Sequence, residues 1–425
     1  MNRQLYTALF YACLPLIALR LLWRALRAPA YLKRWGERFG YAEIPPLKRP
    51  PIWLHSVSVG ESLAAVPLVK SLLSDGEVVV MTTMTPTGSV QVQNNFAEAI
   101  AAKQLIHVYA PYDLPASVQR FLSSVGPKCL IIMETELWPN TIAACAERNI
   151  PVVLANGRLS EKSARGYQKI GGVIGGTFKQ LTKAAVQHRD DGRRMMELGL
   201  PQENCVITGS IKFDLTISDD TRQSAAALRN EILQQPRHIW LAASTHLGED
   251  EKVLAAFKLA KQLNPKLFLI LVPRHPERFN NVANQCEAGG WKVQRRSHGE
   301  AIGADCEILL GDTMGELLML YGVADCTFVG GSLVPVGGHN LIEPAAWGSA
   351  IMSGPHLFNF AEVSRLLKDS DAMAITDDVE QLSATVANLT SNDELRSEMG
   401  KRAKQIADAN RGALDKLLAV IKPYR

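Results

Sequence analysis

Several short polar clusters in this chain hold the residue types from which a group-transfer site is built. In HSVSVGES, Glu61 follows an apolar run and stands at a helix start. A carboxylate there is held ionised by the positive end of the helix dipole and can act as general base toward a hydroxyl presented to it, although an isolated glutamate serves equally well as a helix cap. METELWPN places Glu134 and Glu136 at the end of an otherwise apolar strand, ahead of a helix begun by Pro139. Two carboxylates at a buried strand end are costly unless cations or N–H groups satisfy them, which favours a functional explanation. GSIKFD contributes Lys212, and LVPRHPERF contributes Arg274 beside Pro273 and His275. Both cations suit a leaving phosphate, and each taken singly is equally a surface charge. TMTPTGS (Thr83 to Ser89) offers small hydroxyls, AASTHLGEDE offers Ser244, Thr245 and His246, and GDTMGE sets Thr313, Met314, Gly315 and Glu316 at a helix start.

The stretch Thr327 to Gly348, TFVGGSLVPVGGHNLIEPAAWG, reads as strand, glycine-rich turn and helix opening at His339-Asn340-Leu341-Ile342-Glu343. Glycines let the backbone approach a ligand, and the first helical turn leaves unpaired N–H groups and a positive dipole end, which suits a phosphate. Glu343 lies about one turn past Asn340 and can accept hydrogen bonds from sugar hydroxyls. The spacing is neither GxGxxG nor a Walker loop, and a plain capping turn with a structural glutamate fits the stretch as well.

The elements that must position these residues alternate. From Ile52 the chain reads as strands at 52–55, 78–84, 106–110, 129–134, 152–155, 184–187 and 206–209, with helical stretches between most of them. A polar helical stretch follows Asp214, and strands resume at 239–243, 267–272, 293–295, 307–310, 327–329 and 350–352. Such alternation predicts βαβ units and mainly parallel sheets covered on both faces: two doubly wound α/β domains facing one another, with ligands in the cleft at their strand carboxyl ends. The expected division is a membrane anchor and basic flank at 1–35, a first Rossmann-like domain at 36–215, a connector at 216–236, a second Rossmann-like domain at 237–405, and a C-terminal helix at 406–425 that packs back on the first domain.

Composition agrees. At 425 residues the chain is too long for one ordinary core, and 47% hydrophobic with 21% charged residues is globular. A net charge of +4, with its basic excess near the N-terminus, argues against a nucleic-acid binder. Seven scattered cysteines without a CxxC pair argue against a disulfide framework or zinc site. Leu5 to Leu19 is fifteen uncharged residues, extended past Arg20 to Trp23 and followed by Arg24, Arg27, Lys33, Arg34 and Arg38. This segment spans a membrane if Arg20 snorkels, with the bulk of the chain cytoplasmic, or lies in the interface as an amphipathic helix; a cleaved signal peptide fits less well.

HSVSVGE, TTMTPTGS, METELWPN, GSIKFD, LVPRHPERF, GDTMGE and GGSLVPVGGHNLIE, in this order behind a hydrophobic and basic N-terminus, closely resemble the 3-deoxy-D-manno-octulosonic acid (Kdo) transferases of Gram-negative bacteria. The resemblance runs over nearly the whole chain. It implies a GT-B fold and an inverting glycosyltransferase without a catalytic metal or cofactor, located at the cytoplasmic side of the inner membrane. The implied donor is CMP-Kdo and the implied acceptor the lipid A precursor, lipid IVA. Carried over by motif, Glu61 is the base that deprotonates the acceptor hydroxyl, while Glu134 and Lys212 stabilise the transition state. Pro273-Arg274, Met314-Gly315-Glu316 and Asn340-Leu341-Ile342-Glu343 form the CMP-binding segments. The family commonly has N-P-L-E in the last of these; Leu341-Ile342 here stand where backbone N–H groups are what matters. A sugar-nucleotide epimerase of related architecture and a non-enzymatic membrane scaffold are the rival readings; product analysis without acceptor separates the first, and release of CMP on adding lipid acceptor excludes the second.

Overall fold

The structure, a computed structural model, describes residues 2–26, 29–47 and 49–425, so Arg27 of the basic flank lies outside the described residues. The chain divides into two compact units, Met1–Asp214 with Arg411–Arg425, and Leu215–Asn410.

The first unit is built on seven parallel strands: β1 (Ile52–His55), β2 (Val79–Thr83), β3 (Leu105–Tyr109), β4 (Cys129–Met133), β5 (Val152–Gly157), β6 (Lys183–Val186) and β7 (Cys205–Ile207), in the order β3-β2-β1-β4-β5-β6-β7. Successive side chains of a strand point to opposite faces, and both faces here are apolar. Trp53 and the Phe121 ring, 4.7 Å between centroids, belong to one core, while Ile52 and Leu54 enter the core on the other side. That second core also takes Ala413, Leu417 and Ile421 of the C-terminal helix Ala413–Ile421. Asp214, the last residue before the chain leaves this unit, accepts hydrogen bonds from the N–H groups of Gly412 and Leu414, fastening the returning segment where it arrives.

The second unit repeats the plan with β8 (His238–Thr245), β9 (Leu267–Pro273), β10 (Val293–Arg295), β11 (Ile308–Leu310), β12 (Cys326–Val329), β13 (Ala350–Ser353) and β14 (Met373–Ile375), in the order β10-β11-β9-β8-β12-β13-β14, all parallel. Trp240 and Ala242 face one core; Ile239, Leu241 and Ala243 face the other. The short edge strand β14 has no counterpart in the sequence reading, since three residues, MAI, give too little alternation to register.

Two expected boundaries shift. The stretch 216–236 is mostly a helix, Asp219–Ile232, capped by the Ser218 side chain and burying Ala225, Leu228 and Ile232 in the second unit's core; its polar residues are one face of an amphipathic helix. At the far end, the helix Asp393–Ala409 belongs to the second unit, and the passage back falls at Asn410–Arg411 instead of residue 406.

At the N-terminus, Arg3–Ala25 is one helix, and by length and composition it suffices to cross a membrane. Its 23 residues reach about 34 Å, slightly more than a bilayer's hydrocarbon core. Leu5, Leu9, Leu16, Leu19, Leu22 and Trp23 are exposed. The basic flank is not uniform: Arg38 is buried with its guanidinium 4.3 Å from the Tyr109 ring centroid, and Arg34 lies at 4.6 Å from the same ring while pairing with Glu37 at 2.7 Å. Those two cations hold the chain's entry to the first sheet instead of facing a membrane.

Candidate functional site

In a doubly wound sheet the ligand-bearing crevice opens at the strand carboxyl ends where the order reverses. In the first unit that point lies between β1 and β4, which pair directly, with His55 opposite Ile132. Glu61 follows β1 and Glu134 follows β4, so both carboxylates of the predicted catalytic set stand at the reversal.

Glu61 lies in the first turn of the helix Val59–Ser74. Ser58 is the N-cap, accepting from the Glu61 N–H at 3.3 Å; in return the Glu61 carboxylate accepts from the Ser58 hydroxyl and the Val57 N–H, both at 2.7 Å. This reciprocal arrangement resembles a capping box, so the capping role weighed from the sequence is present. It is not the whole account. Burial, and secondarily the charge of Glu134, push the Glu61 pKa above its ordinary value against the pull of those hydrogen bonds. A carboxylate placed only to cap an exposed helix would have no such neighbour.

Glu134 has φ of +54°, a conformation that costs a non-glycine residue on the order of 1 kcal/mol. The turn aims its buried carboxylate between two cations: Lys212 Nζ lies 2.9 Å from Oε1 and Arg158 Nε 3.1 Å from Oε2. Lys212 is delivered by the short helical turn Ile211–Phe213, whose Ile211 N–H is held by the Asn156 side chain at 3.2 Å. Glu136 completes the group. Its carboxylate accepts from Trp138 Nε1 at 3.1 Å, and burial followed by the charge of Glu61 raises its pKa. Trp138 in turn packs edge-on to the buried His55 ring, 4.6 Å between centroids. Three carboxylates and two cations thus meet where the adjacent strands β1 and β4 end. The sequence reading missed Arg158, although a cation directly after the Asn156-Gly157 that closes an apolar strand was the available signal. TMTPTGS does not join this cluster; Thr85 caps the helix Pro86–Asn95 by accepting from the Gly88 N–H at 3.1 Å.

In the second unit the order reverses between β8 and β12. The glycine-rich turn after β12 differs from expectation. The N–H groups of Gly331, Ser332 and Leu333 all donate to the fully buried Glu249 carboxylate, at 2.6 to 2.9 Å, and that of His246 joins them at 2.9 Å. Gly337 and Gly338 both donate to the Gly331 carbonyl, at 3.0 and 2.7 Å. The anion cradle read from the glycines is therefore filled by the protein's own carboxylate. The helix opens at Ile342, not His339, and Asn340 serves its start by accepting from the Ile342 N–H at 3.0 Å.

The three segments carried over as nucleotide-binding stand at the carboxyl ends of β9, β11 and β12. Pro273 ends β9, and Arg274 follows with its N–H on the Thr245 carbonyl at 3.0 Å and its side chain exposed. Gly315 has φ of +85°, Met314 is exposed, and Glu316 pairs with Arg296 at 3.1 Å, a partner the sequence reading also missed. Leu341 and Ile342 are buried, and the Ile342 N–H is already taken by the Asn340 side chain. Glu343 accepts from Asn340 Nδ2 at 3.1 Å; burial raises its pKa, opposed by that hydrogen bond and by the charge of Arg274. The helix Ile342–Trp347 is tied to the segment after Glu316 by Trp347 Nε1 on the Leu318 carbonyl at 2.7 Å. Among the described residues, no three His, Cys, Asp or Glu side chains are placed to hold a metal ion.

Two all-parallel seven-stranded sheets with their polar clusters at the reversal of strand order have the GT-B architecture, and the chain is a glycosyltransferase. Residues 33–215 match the family model described as 3-deoxy-D-manno-octulosonic-acid transferase (kdotransferase). The chain is 41% identical over 430 residues to the 3-deoxy-D-manno-octulosonic acid transferase of Haemophilus influenzae, covering 100% of this chain and 99% of that one, and 34% identical over 438 residues to the transferase of Bordetella pertussis, covering 100% of each. It belongs to the 3-deoxy-D-manno-octulosonic acid transferase family. In fold it is similar to the UDP-GlcNAc 2-epimerase of Neisseria meningitidis, with a TM-score of 0.55 over 88% of this chain and 100% of that one; the 12% identity makes this a likeness of architecture alone.

Proposed function

We propose that the enzyme transfers Kdo from CMP-Kdo to lipid IVA, the lipid A precursor, with inversion and without a catalytic metal, Glu61 being the general base. The observation that carries this reading is the juxtaposition of Glu61, whose pKa is raised, with Glu134 held between Lys212 and Arg158 at the carboxyl ends of the adjacent strands β1 and β4. Glu61 takes the proton of the acceptor hydroxyl, the freed oxygen bonds to the anomeric carbon, and the bond from that carbon to the phosphate breaks with its electron pair passing to CMP. Loss of CMP leaves positive charge on the sugar, which carboxylates tolerate, and negative charge on the phosphate, which Arg274 is placed to neutralise. A cation such as Arg274 can offset the charge of a single phosphate, which supports a metal-independent transfer. Pro273-Arg274, Met314 to Glu316 and Asn340 to Glu343 hold the nucleotide in this reading.

The exposed apolar helix Arg3–Ala25, with Arg20 and Arg24 toward its C-terminal end and Lys33 beyond it, supports attachment to the cytoplasmic face of the inner membrane, as a span or in the interface. Attachment brings the base to a lipid-borne hydroxyl. Incubating the full chain with CMP-Kdo and lipid IVA, followed by mass spectrometry of the lipid, tests the reading: a product heavier by one or more Kdo units is expected, and unchanged lipid with intact donor overturns it.

A further inference from the structure

Across the reversal of the second sheet, two loops bring a pair of imidazoles into contact. His246 follows β8 and His339 lies in the loop after β12; their Nε2 atoms are 2.7 Å apart and the rings stack at 5.0 Å with 9° between planes. The Glu249 nest explains why the loops meet, since one carboxylate binds the N–H of His246 from the first loop and those of Gly331, Ser332 and Leu333 from the second. Gly331 makes room: a Cβ there would lie 2.9 Å from the His339 ring and 3.5 Å from that of His246. A contact this short between two imidazole nitrogens holds one hydrogen, donated by one ring and accepted by the other.

The surrounding charges are unbalanced. His275 stands edge-on to His246 at 5.1 Å, and Arg274 acts on both rings of the pair. The nearby anions are already engaged: Glu249 by four N–H groups, Asp250 by Arg278 and Thr245, and Glu343, which also feels Arg274, by Asn340. Arg274 makes no ion pair among the described residues. Burial keeps both histidines neutral when the site is empty, with His339 brought down to about 4 by burial first and then by His246, Arg274 and His275; for His246, burial and the cations outweigh the opposing charge of Glu249.

Resting on the reading that CMP-Kdo is bound by this unit, we propose that His246 and His339 form a proton-sharing pair that takes up one proton from solvent when the nucleotide phosphate arrives beside Arg274, and that the resulting imidazolium contacts the phosphate. The added proton sits on the Nδ1 of whichever ring keeps its Nε2 hydrogen, because the contact between the rings has no space for a second. It remains on the pair while the bond from carbon to phosphate breaks, offsetting the charge the phosphate gains, and returns to solvent as CMP departs. His246 and His339 are thus phosphate-contacting residues for the proposed transfer, and the pair supplies a charge that appears only when the ligand is present.

Calorimetry of CMP binding to the full chain at pH 7.5, in two buffers of different ionisation enthalpy, tests this. Uptake of about one proton per CMP is expected by linkage, together with affinity that falls as pH rises. His246→Gln and His339→Gln, each able to keep a hydrogen bond to the remaining ring, should still bind CMP, roughly tenfold more weakly or worse, with the proton uptake lost. Binding without proton uptake in the parent, or uptake retained in both variants, overturns the inference and leaves the donor reading standing. No CMP binding by the parent overturns both.

Discussion

Glu134 Oε1 lies 2.9 Å from Lys212 Nζ, and the φ of +54° at Glu134 is what turns its carboxylate toward that ammonium. Strain of this kind persists only where surrounding contacts over-determine it, and here they do: Arg158 takes the other oxygen at 3.1 Å, and Asn156, itself at φ +53°, holds the turn that carries Lys212. The pair is a fixed dipole at the reversal of the sheet, oriented before any substrate arrives, which is the condition for electrostatic catalysis without reorganisation.

Removing the cation leaves Glu134 buried and half compensated. Lys212→Met should therefore lower kcat by about 10²-fold or more, the scale of losing one preorganised charge, with CMP affinity unchanged. Steady-state kinetics with CMP titration by calorimetry checks both halves, and an unaltered kcat would remove Lys212 from transition-state stabilisation.

Glu61 should show its raised pKa twice. As the proposed base it works ionised, so kcat/KM should fall with falling pH at a value above the ordinary glutamate range near 4.3. For stability the sign runs the other way: the folded state holds this proton more tightly than the unfolded one, so the favourable contribution is present at low pH and is lost as pH rises through the raised value. Glu61→Gln keeps the acceptor for the Val57 N–H, with its amide nitrogen donating to the Ser58 hydroxyl oxygen, but cannot ionise. It should lose nearly all transfer, still bind CMP, and unfold at neutral pH no earlier than the parent, as read by kinetics and thermal melts.

Glu343 is half-buried beside Asn340 and in the field of Arg274, and in the proposed function it takes hydroxyls of the bound nucleotide. Glu343→Ala should weaken CMP binding by roughly tenfold with a native circular-dichroism spectrum, the worth of one charge-assisted hydrogen bond. Unchanged affinity would place the nucleotide elsewhere.

Much of this was legible because strand and motif coincide. Thirteen of the fourteen strands can be read from the sequence, most of them from apolar runs such as Cys129–Met133, which is buried on both faces and so is apolar throughout. The polar residue that follows such a run stands out, which is how Glu61, Glu134 and Lys212 were found. What was not legible depends on partners distant in sequence. Nothing local announces that Glu249 fills the cradle formed by Gly331 to Leu333, that Arg158 completes the clamp on Glu134, or that Arg38 is buried under Tyr109. The glycine-rich turn reads from sequence as a place for a ligand phosphate, whereas the N–H groups of Gly331 to Leu333 are taken by the protein's own Glu249.

Gly400 illustrates a close approach with a remote consequence. A Cβ at this position in the helix Asp393–Ala409 would lie 2.1 Å from the Gly348 carbonyl oxygen, backbone that cannot step aside cheaply. Gly348, at φ +73°, ends the helix that carries Glu343. Gly400→Ala should cost about 1–3 kcal/mol by overpacking, visible in denaturant unfolding of the second unit.

Glu249 is the most demanding of the buried charges. Its Oε1 accepts from Ser332 and Leu333 at 2.9 and 2.8 Å, and its Oε2 from Gly331 and His246 at 2.6 and 2.9 Å, so both oxygens are fully committed as acceptors. Glu249→Gln keeps size and shape but turns one oxygen into an NH₂ group that faces two donors whichever way the amide is flipped. Those two N–H groups then lose their partner inside the protein, at about 1–3 kcal/mol each, and the loops carrying His246 and His339 lose their common anchor. The variant should be destabilised by several kcal/mol, more than Glu249→Asp with its shorter reach, if acceptor count rather than fit governs the site. Equilibrium unfolding of the two variants decides it: a Gln variant as stable as the parent would mean that the nest is held by the backbone turn alone.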